Sequence, residues 1–112
     1  KRQLKPGAHV TSVGYHPPAG ELPVELAREA RLFVETLDAF EPVPVGCAEL
    51  AGCDRRHATT LGEVVLGTSP GRRDAREITV YKAMGIAMED MVAANLAHAA
   101  ALREGGGEAM AW

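Results

Sequence analysis

A helical pattern that runs with no linker into a strand pattern constrains this chain more than anything else in it. In ELPVELAREA (residues 21–30), Leu22, Leu26 and Ala30 recur at i, i+4, i+8, with Glu25 and Glu29 elsewhere on the wheel. That is an amphipathic helix, with Pro23 tolerable only in its first turn. RLFVETL (residues 31–37) follows at once and reads as a strand. Before the helix stands AHVTSVG (residues 8–14), small and β-branched, bounded by glycines, and closed by the turn residues Pro17, Pro18 and Gly20. Strand, helix and strand in such close succession imply β–α–β winding, hence parallel strands with the helix packed on one face.

The remainder extends this order. FEPVPVGCAELAGCDRRHATT is broken by Pro42, Pro44, Gly46 and Gly52 and reads as irregular. TLGEVVLG (residues 60–67) reads as a short helix capped by Thr59 or Thr60 and stopped by Gly67. The polar loop SPGRRDARE leads to EITVYKA (residues 77–83), the clearest strand in the sequence. After Gly85 a long helix runs from about Ile86 to Arg103 and stops at Gly105–Gly107. The expected fold class is α/β: a partial parallel sheet of about three strands, with flanking helices and a long C-terminal helix. Three parallel strands leave two open edges, whereas parallel sheets normally have both faces covered. The last helix points the same way. Met84, Met88, Met91 and Leu102 form one face, Val92, Leu96 and Ala99 a second, and Ile86, Ala93 and Ala100 a third. A helix apolar nearly all round is expected to be buried on several sides. The alternative is that its alanines are simply good helix formers.

Composition sets the outer bounds. The chain has 112 residues, 46% hydrophobic and 24% charged, the balance of a soluble globular domain. Aromatic residues make up only 4%, so the core is expected to be built from small aliphatic side chains. The formal net charge is −3 and the basic residues form no stripe, which argues against nucleic acid as a partner. No apolar run approaches a membrane span, and KRQLKPG lacks a signal-peptide core, so a cytoplasmic location is expected. Cys47 and Cys53 could form a disulfide; with nothing else pointing to secretion, free thiols are expected. The chain opens on Lys1 and leads straight into a strand pattern, as expected of a piece of a longer chain or one whose leader has been removed.

Open parallel sheets bind ligands beyond the carboxyl ends of their strands. Those ends are Gly14–Tyr15–His16, Thr36–Leu37–Asp38 and Ala83–Met84–Gly85, so Tyr15 and His16 are expected at a ligand-facing rim whose shape Pro17 and Pro18 hold. Other candidates are weaker. His9 alternates into its strand and reads as a packing residue. His57 and His98 share no ligand spacing with the cysteines, and Cys47 and Cys53 are spaced too widely for a zinc site. Arg72, Arg73, Asp74, Arg76 and Glu77 read as a solvated loop. Glu89 and Asp90 suit the positive end of the last helix. No G-x-G-x-x-G follows a strand, so the chain alone cannot make a dinucleotide pyrophosphate site.

The two blocks PGAHVTSVGYHPPAGEL and LGEVVLGTSPGRRDAREITVYKAMGIAMEDMVAA resemble the C-terminal third of the ornithine cyclodeaminase / mu-crystallin family. The family pattern there is approximately G-x-H-[VI]-N-[AS]-[VI]-G, then E-L, [LI]-G-E-[VI], P-G-R and [IV]-T-[VL]-F-[KD]-S-[VLT]-G. The resemblance implies NAD or NADP as cofactor, a Rossmann domain in mid-chain, and a substrate and dimerisation domain built from the N-terminal part plus C-terminal helices. It makes residues 1–84 the C-terminal half of the Rossmann domain, 85–104 a helix returning toward the other domain, and 105–112 a tail. It places Val13, Gly14, Tyr15, Ala83 and Met84 beside the cofactor. His16 falls where cyclodeaminases hold an aspartate acting on the substrate amino group, Ala83 where serine is usual, and Thr11 where asparagine is usual. These departures favour an imine (ketimine) reductase or amino-acid dehydrogenase over a true ornithine cyclodeaminase. They leave His16 as the candidate catalytic residue, able to exchange a proton with an imine nitrogen. The expected partners are the nicotinamide cofactor, a small amino or imino acid, and a second copy of the protein, with the chain inactive by itself. Two other readings stand beside this one: a non-catalytic module that binds or assembles with itself or another chain, and a stand-alone enzyme using His16 with Glu89 and Asp90.

Overall fold

The computed structural model describes residues 3–108 and Met110. Its strands are β1 (His9–Ser12), β2 (Arg31–Val34), β3 (Ala58–Thr60) and β4 (Thr79–Lys82). Its α-helices are α1 (Val24–Glu29), α2 (Leu61–Val65) and α3 (Ala87–Glu104). The strands form one sheet in the order β1-β4-β2-β3, parallel throughout. The α/β class and the long terminal helix are as the sequence implies. The strand count is four rather than about three. The added strand, Ala58–Thr60, pairs with β2 and ends in the residue that caps α2. Three residues are too few for a periodic signal, and Thr60 reads from sequence as a cap alone.

Strand alternation divides the sheet into two unlike faces. Val10 on β1, Leu32 and Val34 on β2, Ala58 on β3 and Val80 on β4 point to one side, where they meet Leu22, Leu26, Ala27, Ala39, Cys47 and Leu50. Helix α1 supplies Leu22's neighbour Leu26 one turn on, so the i, i+4 pair read from sequence is the pair that is buried. The segment that reads as irregular, residues 37–57, closes this core with three short 3-10 turns: Leu37–Phe40, Ala48–Leu50 and Arg55–His57. Each is pinned locally. The Thr36 hydroxyl accepts from the Asp38 N–H at 3.3 Å, the Asp54 carboxylate accepts from the Arg56 N–H at 3.0 Å, and the Cys47 Sγ donates to the Ala39 carbonyl at 3.3 Å. Both cysteines are free thiols, and burial pushes the Cys47 thiol up to about 11. Fully burying a Val or Leu contributes about 1.5–3 kcal/mol each, so this face holds the sheet together.

The other face carries His9, Thr79, Tyr81 and Phe33. Only α2 and the loop after it lean over one side, where Leu61, Val64, Gly71 and Arg72 complete an open groove of about 460 Å³. His9, expected to pack inside, is exposed instead; its Nδ1 lies 2.7 Å from the Thr79 hydroxyl. It alternates onto the open face of the sheet, where the described residues leave it exposed. Helix α2 is held by a capping box, with the Thr60 hydroxyl accepting from the Glu63 N–H and the Glu63 carboxylate accepting from the Thr60 N–H.

Helix α3 leaves the end of β4 and stands clear of the sheet. None of its residues is buried, although it was expected to be buried on several sides. At 1.5 Å per residue it is about 27 Å long, and it stretches the molecule to 53 × 33 × 28 Å. It ends cleanly, with Gly105 in the left-handed region (φ 65°) and its N–H bonded to the Ala101 carbonyl. No helix among the described residues is long and apolar enough to cross a membrane.

Candidate functional site

The carboxyl ends of β1, β4 and β2 lie side by side, because β4 is paired in register with both neighbours. This brings together Val13, Gly14, Tyr15 and His16 from the first strand end, Ala83 and Met84 from the second, and Glu35 from the third. Val13 is 67% exposed, and Tyr15 and His16 are exposed beside it. Ala83 is buried, and its N–H donates to the Ser12 carbonyl at 2.9 Å, which extends the β1–β4 pairing into the rim. The Tyr15 hydroxyl donates to the Pro44 carbonyl at 2.8 Å, tying the rim to the 3-10 region. The His16 carbonyl accepts from the Gly20 N–H at 2.8 Å, which closes the proline turn. The residues singled out from sequence therefore share one edge of the molecule.

Beneath that edge lies a charged network that the sequence reading missed. Lys82, the last residue of β4, is 1% exposed, and Glu49 beside it is also 1% exposed. The Lys82 Nζ lies 3.0 Å from Glu49 Oε1 and 3.8 Å from Glu21 Oε2. It donates to the Ser12 hydroxyl at 3.1 Å and to the Gly14 carbonyl. Glu21 Oε2 accepts from the Ser12 hydroxyl and from the Gly14 N–H, both at 2.9 Å. Glu49 Oε1 accepts from the Glu21 N–H at 3.2 Å. Burial by itself would raise the Glu49 carboxyl; its own and Glu21's backbone N–H groups and the Lys82 ammonium outweigh this and hold it below the usual 4.5. The only sequence signal was a lysine on the inward parity of an apolar strand, and alternation does not say which acid will meet it.

A second acidic group borders the rim. Glu35 follows β2, and one of its oxygens accepts from the Met84 N–H at 3.1 Å. The other is buried and receives no donor from the described residues. Glu89, in the first turn of α3, lies against this carboxylate. Hydrogen bonding to Glu35, then desolvation, then the charges of Glu35 and Asp90 hold the Glu89 carboxyl above its ordinary 4.5. Tyr81 beneath them is raised by burial first and by the same two acids next. Glu89 thus reaches the rim through Glu35, rather than serving the helix dipole alone.

The opposite end of the sheet carries a larger cleft, about 890 Å³, lined by Arg28, Arg31, Arg56, Arg73 and Arg76 among others. Its cations are largely engaged within the chain. Arg31 donates to the Pro70 carbonyl at 2.8 Å and the Gly71 carbonyl at 3.2 Å, Arg73 pairs with Glu77 at 2.6 Å, and Arg56 with Asp54 at 2.7 Å. Arg72, read as part of a solvated loop, is exposed but structural. It donates to the Gly7 carbonyl at 2.7 Å, the Glu77 carbonyl at 2.6 Å and the Thr79 hydroxyl at 3.0 Å, locking the starts of β1 and β4 together.

The family model for the ornithine cyclodeaminase/mu-crystallin family matches residues 1–105. The chain is 40% identical over 96 residues to the ketimine reductase mu-crystallin of Mus musculus, covering 85% of this chain and 29% of that protein. It is 33% identical over 116 residues to a delta(1)-pyrroline-2-carboxylate reductase of Bacillus cereus, covering 95% and 34%. Among solved structures it superposes on the delta(1)-pyrroline-2-carboxylate reductase of Thermococcus litoralis, determined in complex with NADH and L-proline. The TM-score is 0.77 at 33% identity, over 96% of this chain and 35% of that one. The chain thus spans about a third of the length of the relatives it matches. Parallel topology, motif order and these likenesses together establish that the chain belongs to the ornithine cyclodeaminase/mu-crystallin family.

Proposed function

We propose that the protein to which this chain belongs is an NAD(P)-dependent reductase of small cyclic or open imino acids, an imine (ketimine) reductase or amino-acid dehydrogenase rather than a true ornithine cyclodeaminase. The observation that carries the reading is the rim itself. Val13, Gly14, Tyr15, His16, Ala83 and Met84 meet at the carboxyl edge of a parallel sheet, where such folds receive nucleotides. The relatives named as reductases, and the neighbour holding NADH and L-proline, support the same assignment.

The rim suits the nicotinamide end of such a cofactor. Val13 offers exposed apolar surface, and Ala83 is small enough to leave room beside it. It does not suit the pyrophosphate, because Lys82, its buried cation, is already matched by Glu49. Residues 1–84 then act as the C-terminal half of the cofactor domain, 85–104 as a helix returning to the substrate domain, and 105–112 as a tail, of which Ala109, Ala111 and Trp112 lie outside the described residues. Bound cofactor supplies the hydride. The work left to these residues is to flank it and to move a proton. His16, exposed on a turn closed by the Gly20 N–H, is the residue to which we assign the proton given to the imine nitrogen.

The test is titration of NADH and NADPH against the full-length protein and against this chain alone, followed by assays of delta(1)-pyrroline-2-carboxylate reduction and of ornithine deamination. Dinucleotide binding by the full-length protein, with imine reduction exceeding deamination, is the expected outcome. Deamination as the faster reaction would overturn the choice of chemistry. His16→Ala should lower kcat by about 10²–10⁴-fold and flatten its pH profile; an unchanged profile removes His16 from the mechanism.

A second reading, an assembly module without catalysis, is favoured by α3, none of whose residues is buried, and by the partly covered face of the sheet. It requires assembly with itself or with a partner chain, so a clean monomer in sedimentation at high concentration, alone and with a complementary fragment, removes it.

A further inference from the structure

Gly14 has both of its backbone polar groups taken by charged side chains: its N–H by Glu21 at 2.9 Å and its carbonyl by Lys82. The lysine's remaining N–H groups go to Glu49 at 3.0 Å and Ser12 at 3.1 Å, so all three donors of the ammonium are placed. Ser12 passes a hydrogen bond on to Glu21, and the Glu21 N–H returns one to Glu49. The ring of contacts is closed, and it is built around one residue of the rim. Backbone space is committed to it as well. A Cβ at Gly14 would land on the Glu21 carboxylate, and one at Gly20 would lie 3.2 Å from the Glu49 Cβ.

A buried ion pair of this kind is a poor way to gain stability, since well-packed apolar side chains serve as well or better. What it does supply is direction. We propose that Lys82 and Glu21, backed by Glu49, are positioning residues that fix the Val13–Gly14–Tyr15 segment in the one conformation that receives the nicotinamide ring. With the Gly14 N–H and carbonyl both satisfied from below, the rim offers the ring an apolar approach beside Val13 rather than competing hydrogen-bonding groups. This rests on the cofactor reading above, and it goes further by naming side chains that touch neither cofactor nor substrate.

The experiment uses the full-length protein and two readouts: amide hydrogen exchange at Gly14, which needs no ligand, and titration with NADH and NADPH. Lys82→Met/Glu49→Gln removes the buried charges together and keeps an acceptor for the Glu21 N–H. Glu21→Ala removes the acceptor of the Gly14 N–H, and Glu21→Gln restores a neutral one. In both the double variant and Glu21→Ala, the expected result is Gly14 exchange faster by tenfold or more and dinucleotide affinity weaker by roughly tenfold to a hundredfold. Glu21→Gln should recover most of each. Unchanged Gly14 exchange in Glu21→Ala would overturn the proposal without touching the cofactor reading. So would faster exchange with unchanged affinity, since the network would then serve the fold alone. A wild-type protein that binds neither dinucleotide would overturn the cofactor reading, and the positioning role with it. If the double variant fails to fold, the Glu21 pair decides by itself.

Discussion

Gly20→Ala should be far more damaging than a half-buried turn position would lead one to expect. Gly20 has φ 74°, in the left-handed region, where an alanine costs about 1 kcal/mol more than glycine. An added Cβ would also stand 2.7 Å from Glu49 Cδ and 3.2 Å from Glu49 Cβ. The second distance is the telling one, because a Cβ cannot swing aside as a carboxylate can. Glu49 would have to rotate away, losing Lys82 at 3.0 Å and the Glu21 N–H at 3.2 Å. Loss of charged hydrogen bonds of this sort costs about 2 kcal/mol, so the whole effect should be about 3 kcal/mol. Native-state hydrogen exchange of the β1 and β4 amides reads this locally, as roughly a hundredfold fall in protection. In a Lys82→Met/Glu49→Gly background the Cβ, the carboxylate and its ion pair are all gone, and only the backbone term of about 1 kcal/mol should remain. An equal loss in both backgrounds would refute the link between Gly20 and the buried pair. A loss near 1 kcal/mol in the native background would show that Glu49 relaxes freely.

Other outcomes follow from the same structure. Leu50→Ala should cost about 2–5 kcal/mol in chemical denaturation, since Leu50 is 1% exposed in the apolar core cluster. Thr60→Ala should cost about 1 kcal/mol by removing half of the α2 capping box, with faster exchange confined to α2 and the end of β3. Because the folded Glu49 carboxyl lies below its ordinary 4.5, its contribution is complete above that value and is lost as pH falls through the lowered one. Glu49→Gln should therefore flatten the acid limb of a stability–pH curve; an unaltered limb would place the acid sensitivity elsewhere. Glu89 has the opposite sign. Its raised value means that its contact with Glu35 is strongest in mild acid and weakens as pH rises, so amides in the first turn of α3 should become better protected as pH falls from neutral.

Much of this molecule was legible in local pattern. The i, i+4 spacing of Leu22 and Leu26 names the buried side of α1, and the alternation through Leu32, Val34 and Val80 names the core face of the sheet. Glycines and prolines mark the ends of most elements, and the order of strands and helices implies parallel winding. Because parallel winding puts strand carboxyl ends on one edge, Tyr15, His16 and Met84 could be assigned to a common rim before any coordinate was known. Short-range chemistry of this kind is set by neighbours a few positions away, and sequence displays those directly.

What only the tertiary structure decided involves partners far apart in the chain. Strand β3 exists because Ala58–Thr60 finds β2, not because three residues prefer to be extended. Lys82 meets Glu49, Glu21 and Ser12 because folding brings four separate segments around one buried ammonium, and nothing local to any of them announces it. Glu89 is tied to the rim only through Glu35, just past the end of β2. Helix α3 is the reverse case. Its apolar circumference reads as burial on several sides, yet none of its residues is buried. Periodicity tells a helix how much of itself to hide; only the assembled structure supplies the place to hide it.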